Sequence, residues 1–167
     1  MRREQAKRDI PGPGQESVWD YPRPPRLELM ADPVTITLGG EVIASSTRAY
    51  RVLETSHPPT VYVPKEDFRD GAVIPAAGQS WCEFKGQARY VSLRGGSVVA
   101  ERSGWYYPTP TPAYADLVDA IAVYPSAMDA CTIAGETVQA QDGDFYGGWI
   151  TSRVVGPFKG APGTLGW

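Results

Sequence analysis

Cysteine and histidine are scarce in this 167-residue chain, which holds two cysteines, Cys82 and Cys131, and one histidine, His57. The cysteines form no CxxC, so the common structural-zinc and redox spacings are absent, and a lone imidazole rules out a two-histidine metal site. No metal or other cofactor is expected. Long apolar runs are missing too, since charge, Gly or Pro cuts each one well before the roughly 20 residues of a membrane helix. The opening MRREQAKRDIPGPGQ has no apolar stretch of signal-peptide type, so the expectation is a cytoplasmic protein with reduced thiols and no membrane partner. A Cys82–Cys131 disulfide stays open as the alternative. Basic residues are not in excess either: 16 Lys and Arg stand against 19 Asp and Glu, a formal charge of −3. That is the wrong sign for holding phosphate backbones, and no nucleic-acid partner is expected. Arg2, Arg3, Lys7 and Arg8 do cluster, but Glu4 and Asp9 interrupt them. Nucleophile-elbow, phosphate-loop, Rossmann and HExxH motifs are all lacking.

What the chain has instead is turn-forming residues and rings. Its 18 glycines and 16 prolines imply many short elements, and the segments between them are rich in β-branched and aromatic residues. The reading is mainly β, with compact antiparallel sheets built from short hairpins. VTITL (34–38) and EVIA (41–44) flank Gly39-Gly40, while ARYVSL (88–93) and SVVAE (97–101) flank Gly95-Gly96. Thr111, Pro112 and the stripe Tyr114, Leu117, Val118 and Ile121 predict one short α-helix over 112–121. Residues 1–15 read as a disordered tail and 16–167 as a single domain. Within it, 126–167 forms an irregular extension whose Phe145, Tyr146, Trp149, Phe158 and Trp167 argue for packing on the sheet.

The segment WCEFKGQARYVSL (81–93) predicts a hairpin with Gly86-Gln87 as its two-residue turn, opposing Lys85 to Ala88, Glu83 to Tyr90 and Cys82 to Val91. One face then collects Cys82, Phe84, Val91 and Leu93 as core. The other collects Trp81, Glu83, Lys85, Tyr90 and Ser92 as a candidate site. On that pairing Lys85 and Cys82 point to opposite sides, so Cys82 reads as structural unless a bulge intervenes. Tyr62 alternates with Val61 and Val63 and reaches the site face if its strand is near. His57, before two prolines, is either a general base oriented by Glu54 or a loop residue bonded to nearby backbone. GWYYPTPTP places Trp105, Tyr106 and Tyr107 beside prolines; with Trp81 and Trp149 these rings make either an aromatic cage or a second apolar cluster.

In this order and spacing, SHPPTVYVP, WCEFKGQARYVSL and GWYYPTPTP resemble the motifs of the family known as domain of unknown function 427, sometimes labelled nucleotidyltransferase-like. The similarity spans residues 16 to 125, and the ending resembles a subset of members with a further C-terminal segment. The resemblance implies coiled antiparallel strands with a small helix, and no established reaction. On matching positions it points to Arg48, His57, Tyr62, Pro64, Cys82, Lys85, Gly86, Tyr90 and Tyr107; Phe84 stands where members often have Trp. Nucleotidyl transfer generally needs paired carboxylates to hold metal ions, and that signature contains none. Asp67, Asp70, Asp142 and Asp144 sit in DFRD and DGD, which read as turns and caps.

These readings converge on a small-molecule site, with catalysis left open. Tyr62, Glu83, Lys85, Tyr90, Trp105 and Tyr107 form a polar and aromatic pocket with Arg48 and His57 at its rim, where Lys85 and Arg48 favour an anionic metabolite. Lys85, His57 and Cys82 are the candidates for chemistry. The alternatives are a non-catalytic module whose rings cage a cationic group or a protein partner, and a site filled by Trp149 or Phe158 of the extension.

Overall fold

The computed structural model describes residues 7–143 and 145–167; Arg2, Arg3 and Glu4 of the basic cluster, and Asp144, lie outside the described residues. The protein is mainly β. Among the described residues the largest sheet is antiparallel, in the spatial order Arg26–Met30, Ala49–Leu53, Thr60–Pro64, Ala120–Val123, Val98–Tyr106, Gly86–Gly95, Val73–Cys82. A second sheet runs Glu136–Thr137, Ala130–Ile133, Val34–Leu38, Glu41–Ser46. The Val34–Leu38 hairpin turns at Gly39-Gly40, whose φ angles of 59° and 78° suit the two-residue turn that the sequence implied.

Strand alternation divides the protein into two interiors. Val61 and Val63, Ile121 and Val123, and Val91 and Leu93 face the smaller sheet, where Val34, Ile36, Ile43 and Cys131 meet them. Burying each such side chain is worth roughly 1.5–3 kcal/mol, enough to fix which way every strand faces. The intervening residues Tyr62, Ala120, Ala122, Trp105 and Ala88 must then face the other way, and they form a second cluster with Tyr107, Tyr114 and Leu117. A third cluster joins the chain ends: Val18 and Tyr21 pack with Leu53 and Val154, and Glu16–Ser17 pairs in parallel with Val154–Val155.

Two local expectations are corrected by distant partners. The α-helix over 112–121 is instead a 3₁₀ segment, Pro112–Leu117, broken at Tyr114, and it is followed by the strand Ala120–Val123. Tyr114 and Leu117 are buried as the stripe implied, but Val118 is exposed and Ile121 is buried as a strand residue. The pairing positions open between Thr60–Pro64 and Val98–Tyr106 outweigh helical periodicity here.

The second correction concerns the hairpin at 81–93. Cys82 pairs with Gly86 and Trp81 with Gln87, so Glu83, Phe84 and Lys85 form the turn. Thr111 causes this: its amide donates to the Lys85 carbonyl at 3.0 Å and its hydroxyl to the Phe84 carbonyl at 2.6 Å, so neither carbonyl needs a cross-hairpin partner. Relative to the expected register the strand slips by an odd number of residues, which exchanges its faces. Cys82 therefore shares a face with Ala88 and Tyr90, not with Val91 and Leu93.

Candidate functional site

A row of cross-strand partners contributes Tyr62, Tyr90 and Trp105 to the lining of a cavity. Tyr50 pairs with Tyr62, Tyr62 with Ala122, Ala122 with Trp105, and Trp105 with Tyr90, so all five side chains stand on one face. Ala122 is the small member, and over it the Trp105 indole donates to the Tyr62 hydroxyl at 3.3 Å. Tyr107, two residues beyond Trp105, lies with its ring centroid 6.3 Å from that of Tyr62. The cavity encloses about 230 Å³, and Cys82, Lys85, Tyr90, Ser80, His57 and Glu54 also line it.

Lys85 reaches into this cavity from the Thr111-bound turn. The residue is 8% exposed and its ammonium sits 5.8 Å from the centre of the Tyr107 ring. Among the described residues it makes no ion pair with a carboxylate. Burial alone would depress its pKa, but Tyr62, Cys82 and Glu54 outweigh burial and hold it above the ordinary value. Lys85 is thus a buried amine whose charged form is favoured where a neighbouring group is anionic. Burial, with Tyr62 adding to it, also pushes Tyr107 well above the usual phenol range, and burial raises Tyr62, so both hydroxyls keep their protons.

The C-terminal extension supplies the opposite wall. Gln141, Phe145, Tyr146, Gly147 and Lys159 border the cavity, and a Cβ on Gly147 would stand 2.4 Å from Trp105 Cη2, so only glycine fits there. The orientation of the Gln141 amide is set by its neighbours: Oε1 accepts from the Gly148 amide at 3.1 Å and Nε2 donates to the Lys159 carbonyl at 2.7 Å. Nε2 also meets His57 Nδ1 at 3.2 Å, which makes Nδ1 the acceptor and leaves the ring proton on Nε2, 3.5 Å from Glu54 Oε2. Both ring nitrogens are engaged, and burial with the nearby Lys159, Arg23 and Lys85 cations lowers the His57 pKa to about 4. His57 is a neutral tie between the sheet and the extension.

His57, Tyr62, Cys82, Lys85, Tyr90, Trp105 and Tyr107 thus meet at one cavity, and two expected members do not. Arg48 lies elsewhere, its guanidinium forked onto Asp67 at 2.8 and 3.0 Å, because Asp67 in the 3₁₀ turn Lys65–Asp67 is the nearer anion. Glu83 is exposed on the turn and does not line the cavity. Trp81 stands at the mouth, 73% exposed. Trp149 is buried in the core, with its indole donating to the Val123 carbonyl, and Phe158 packs in the third cluster, so neither fills the site. Sequence reasoning missed Tyr124, Gln141 and Lys159; the density of rings in the extension was the available signal.

The model of the family described as a domain of unknown function, DUF427, matches residues 26–134. The chain belongs to the DUF427 family. That match contains every strand of the seven-stranded sheet together with His57, Cys82, Lys85 and Tyr107, whereas Gln141, Phe145, Tyr146 and Lys159 lie beyond it. The DUF427 region therefore supplies the floor of the cavity and the extension supplies its far wall. No curated protein matches the chain. Among the described residues no helix is long and apolar enough to cross a membrane, and no three metal-ligating side chains converge.

Proposed function

We propose that this protein binds a small anionic metabolite at Lys85. One observation carries the reading: the Lys85 amine, only 8% exposed, has no carboxylate ion-pair partner among the described residues. Burying an unpaired charge costs several kcal/mol, and an anionic ligand offsets that cost. The protonated hydroxyls of Tyr62 and Tyr107 add neutral donors beside it. A volume of about 230 Å³ suits a metabolite-sized ligand, since pockets for larger molecules run to roughly 300–1,000 Å³.

The rival reading, a cage for a cation, is disfavoured because the Lys85 ammonium already occupies the position facing the Tyr107 ring. Any chemistry here would use Lys85 to stabilise negative charge on the ligand, with the Cys82 thiol as the nucleophile within reach of the cavity. The two unpaired thiols support a reducing, cytoplasmic setting, and the charge of −3 argues against nucleic acid as a partner.

The test is thermal unfolding against carboxylates, phosphate, nucleotides and quaternary amines, in wild type and Lys85→Met. An anion present at 100 times its dissociation constant should add about 2.7 kcal/mol of stability, and Lys85→Met should abolish the effect. Stabilisation by quaternary amines alone, or by anions equally in both proteins, would sink the reading.

A further inference from the structure

We infer, resting on the anion-binding reading of Lys85, that the ligand carries two anionic groups and that Lys159 takes the second. Lys159 borders the same cavity from the extension. Its backbone is pinned on both sides, the amide donating to the Ser56 carbonyl at 2.9 Å and the carbonyl accepting from Gln141 at 2.7 Å. Its ammonium lies 5.5 Å from the centre of the Tyr146 ring and, like Lys85, has no carboxylate within ion-pair distance among the described residues. A pinned backbone and a ring under the side chain hold this cation at the cavity without neutralising it.

Among the described residues Glu54 is the one carboxylate that borders the cavity, and it is already engaged. Glu54 meets Arg23 at 3.3 Å and His57 at 3.5 Å and forms an ion pair with neither lysine. His57 at the cavity is neutral, its pKa lowered chiefly by burial and then by the Lys159, Arg23 and Lys85 cations. Rings also line the cavity, with those of Trp105 and Tyr124 4.8 Å apart and Tyr146 bordering it. Two lysines at one ring-lined cavity match a small dicarboxylate with a planar or short aliphatic spacer. Because Lys159 lies beyond residues 26–134, this preference belongs to the extension and not to the DUF427 region.

Titration calorimetry of the full chain with matched acids tests this: benzoate against isophthalate and terephthalate, and butyrate against succinate and glutarate. A charge-assisted contact predicts that at least one diacid binds wild type roughly tenfold more tightly than its monoacid. Lys159→Met should reduce that ratio to about one by weakening diacid binding far more than monoacid binding, and Lys159→Arg should restore it. Lys85→Met should abolish binding of both kinds. Equal binding of monoacids and diacids by wild type, or a diacid preference that survives Lys159→Met, overturns the inference and leaves the Lys85 site standing. Failure of every acid to bind wild type overturns the Lys85 reading as well. Retained far-UV circular dichroism in each variant separates loss of contact from loss of fold.

Discussion

His57 is the residue whose environment is most sharply defined, and as the chain's single histidine it can be followed without ambiguity. The Gln141 amide cannot rotate without losing its bonds to Gly148 and Lys159, so a proton added at Nδ1 would set two N–H donors against each other. The folded pKa of about 4 lies below the ordinary value of 6.5, so between these limits the unfolded chain binds the extra proton. The contribution to stability is therefore full above pH 6.5 and is lost as pH falls toward 4, a difference of about 3 kcal/mol. Urea unfolding of wild type and His57→Gln across pH 4 to 7 should show a steeper slope in wild type than in the variant. Asp67, held low by its Arg48 hydrogen bonds, contributes acid sensitivity equally to both proteins and cancels in the difference. A proton-resolved titration of the histidine giving an ordinary pKa would contradict this account.

At the scale of the element, the turn Glu83–Lys85 shows how a distant residue sets a hairpin. Thr111, carried on the proline-rich segment after Tyr107, accounts for both the register of the hairpin and the inward aim of Lys85. Thr111→Val keeps the side-chain shape and the amide bond to Lys85 but removes the donor to the Phe84 carbonyl. A destabilisation of about 1 kcal/mol is expected from denaturant unfolding, together with weaker stabilisation by whichever anion wild type binds. Unchanged stability and unchanged anion response would show that the hydroxyl does not set the turn. The strand Ala120–Val123 teaches the same lesson from the other direction. Its residues continue a helical stripe in sequence, but they are buried on both faces of a central strand, where a continuous apolar run is what the packing requires.

At the scale of the whole molecule, the large sheet separates two environments, and the cysteines report on them. Cys131 is buried between the sheets, and burial pushes its thiol up to about 12; Cys82 is half-buried at the cavity. A disulfide-exchange reagent at pH 8 should therefore modify one thiol in the native protein and a second only after unfolding, with peptide mapping placing the first at Cys82. Modification of Cys131 in the folded state would mean that the inter-sheet core is not closed as described.

Much of this was legible in the sequence. Alternation of Val61, Tyr62 and Val63 declared a two-faced strand, the Gly39-Gly40 pair marked the hairpin of Val34–Leu38 with Glu41–Ser46, and the identities of His57, Tyr62, Lys85, Tyr90, Trp105 and Tyr107 marked a polar and aromatic neighbourhood. These properties are local, since side-chain period and turn conformation depend on residues a few positions apart. Tertiary structure alone decided that Cys82 joins Lys85, that Arg48 turns away to Asp67, and that Gln141 and Lys159 close the cavity. Each of those outcomes depends on which distant group satisfies a carbonyl, an amide or a charge, and a backbone group is satisfied by whatever the fold brings within 3 Å of it, not by its neighbours in sequence.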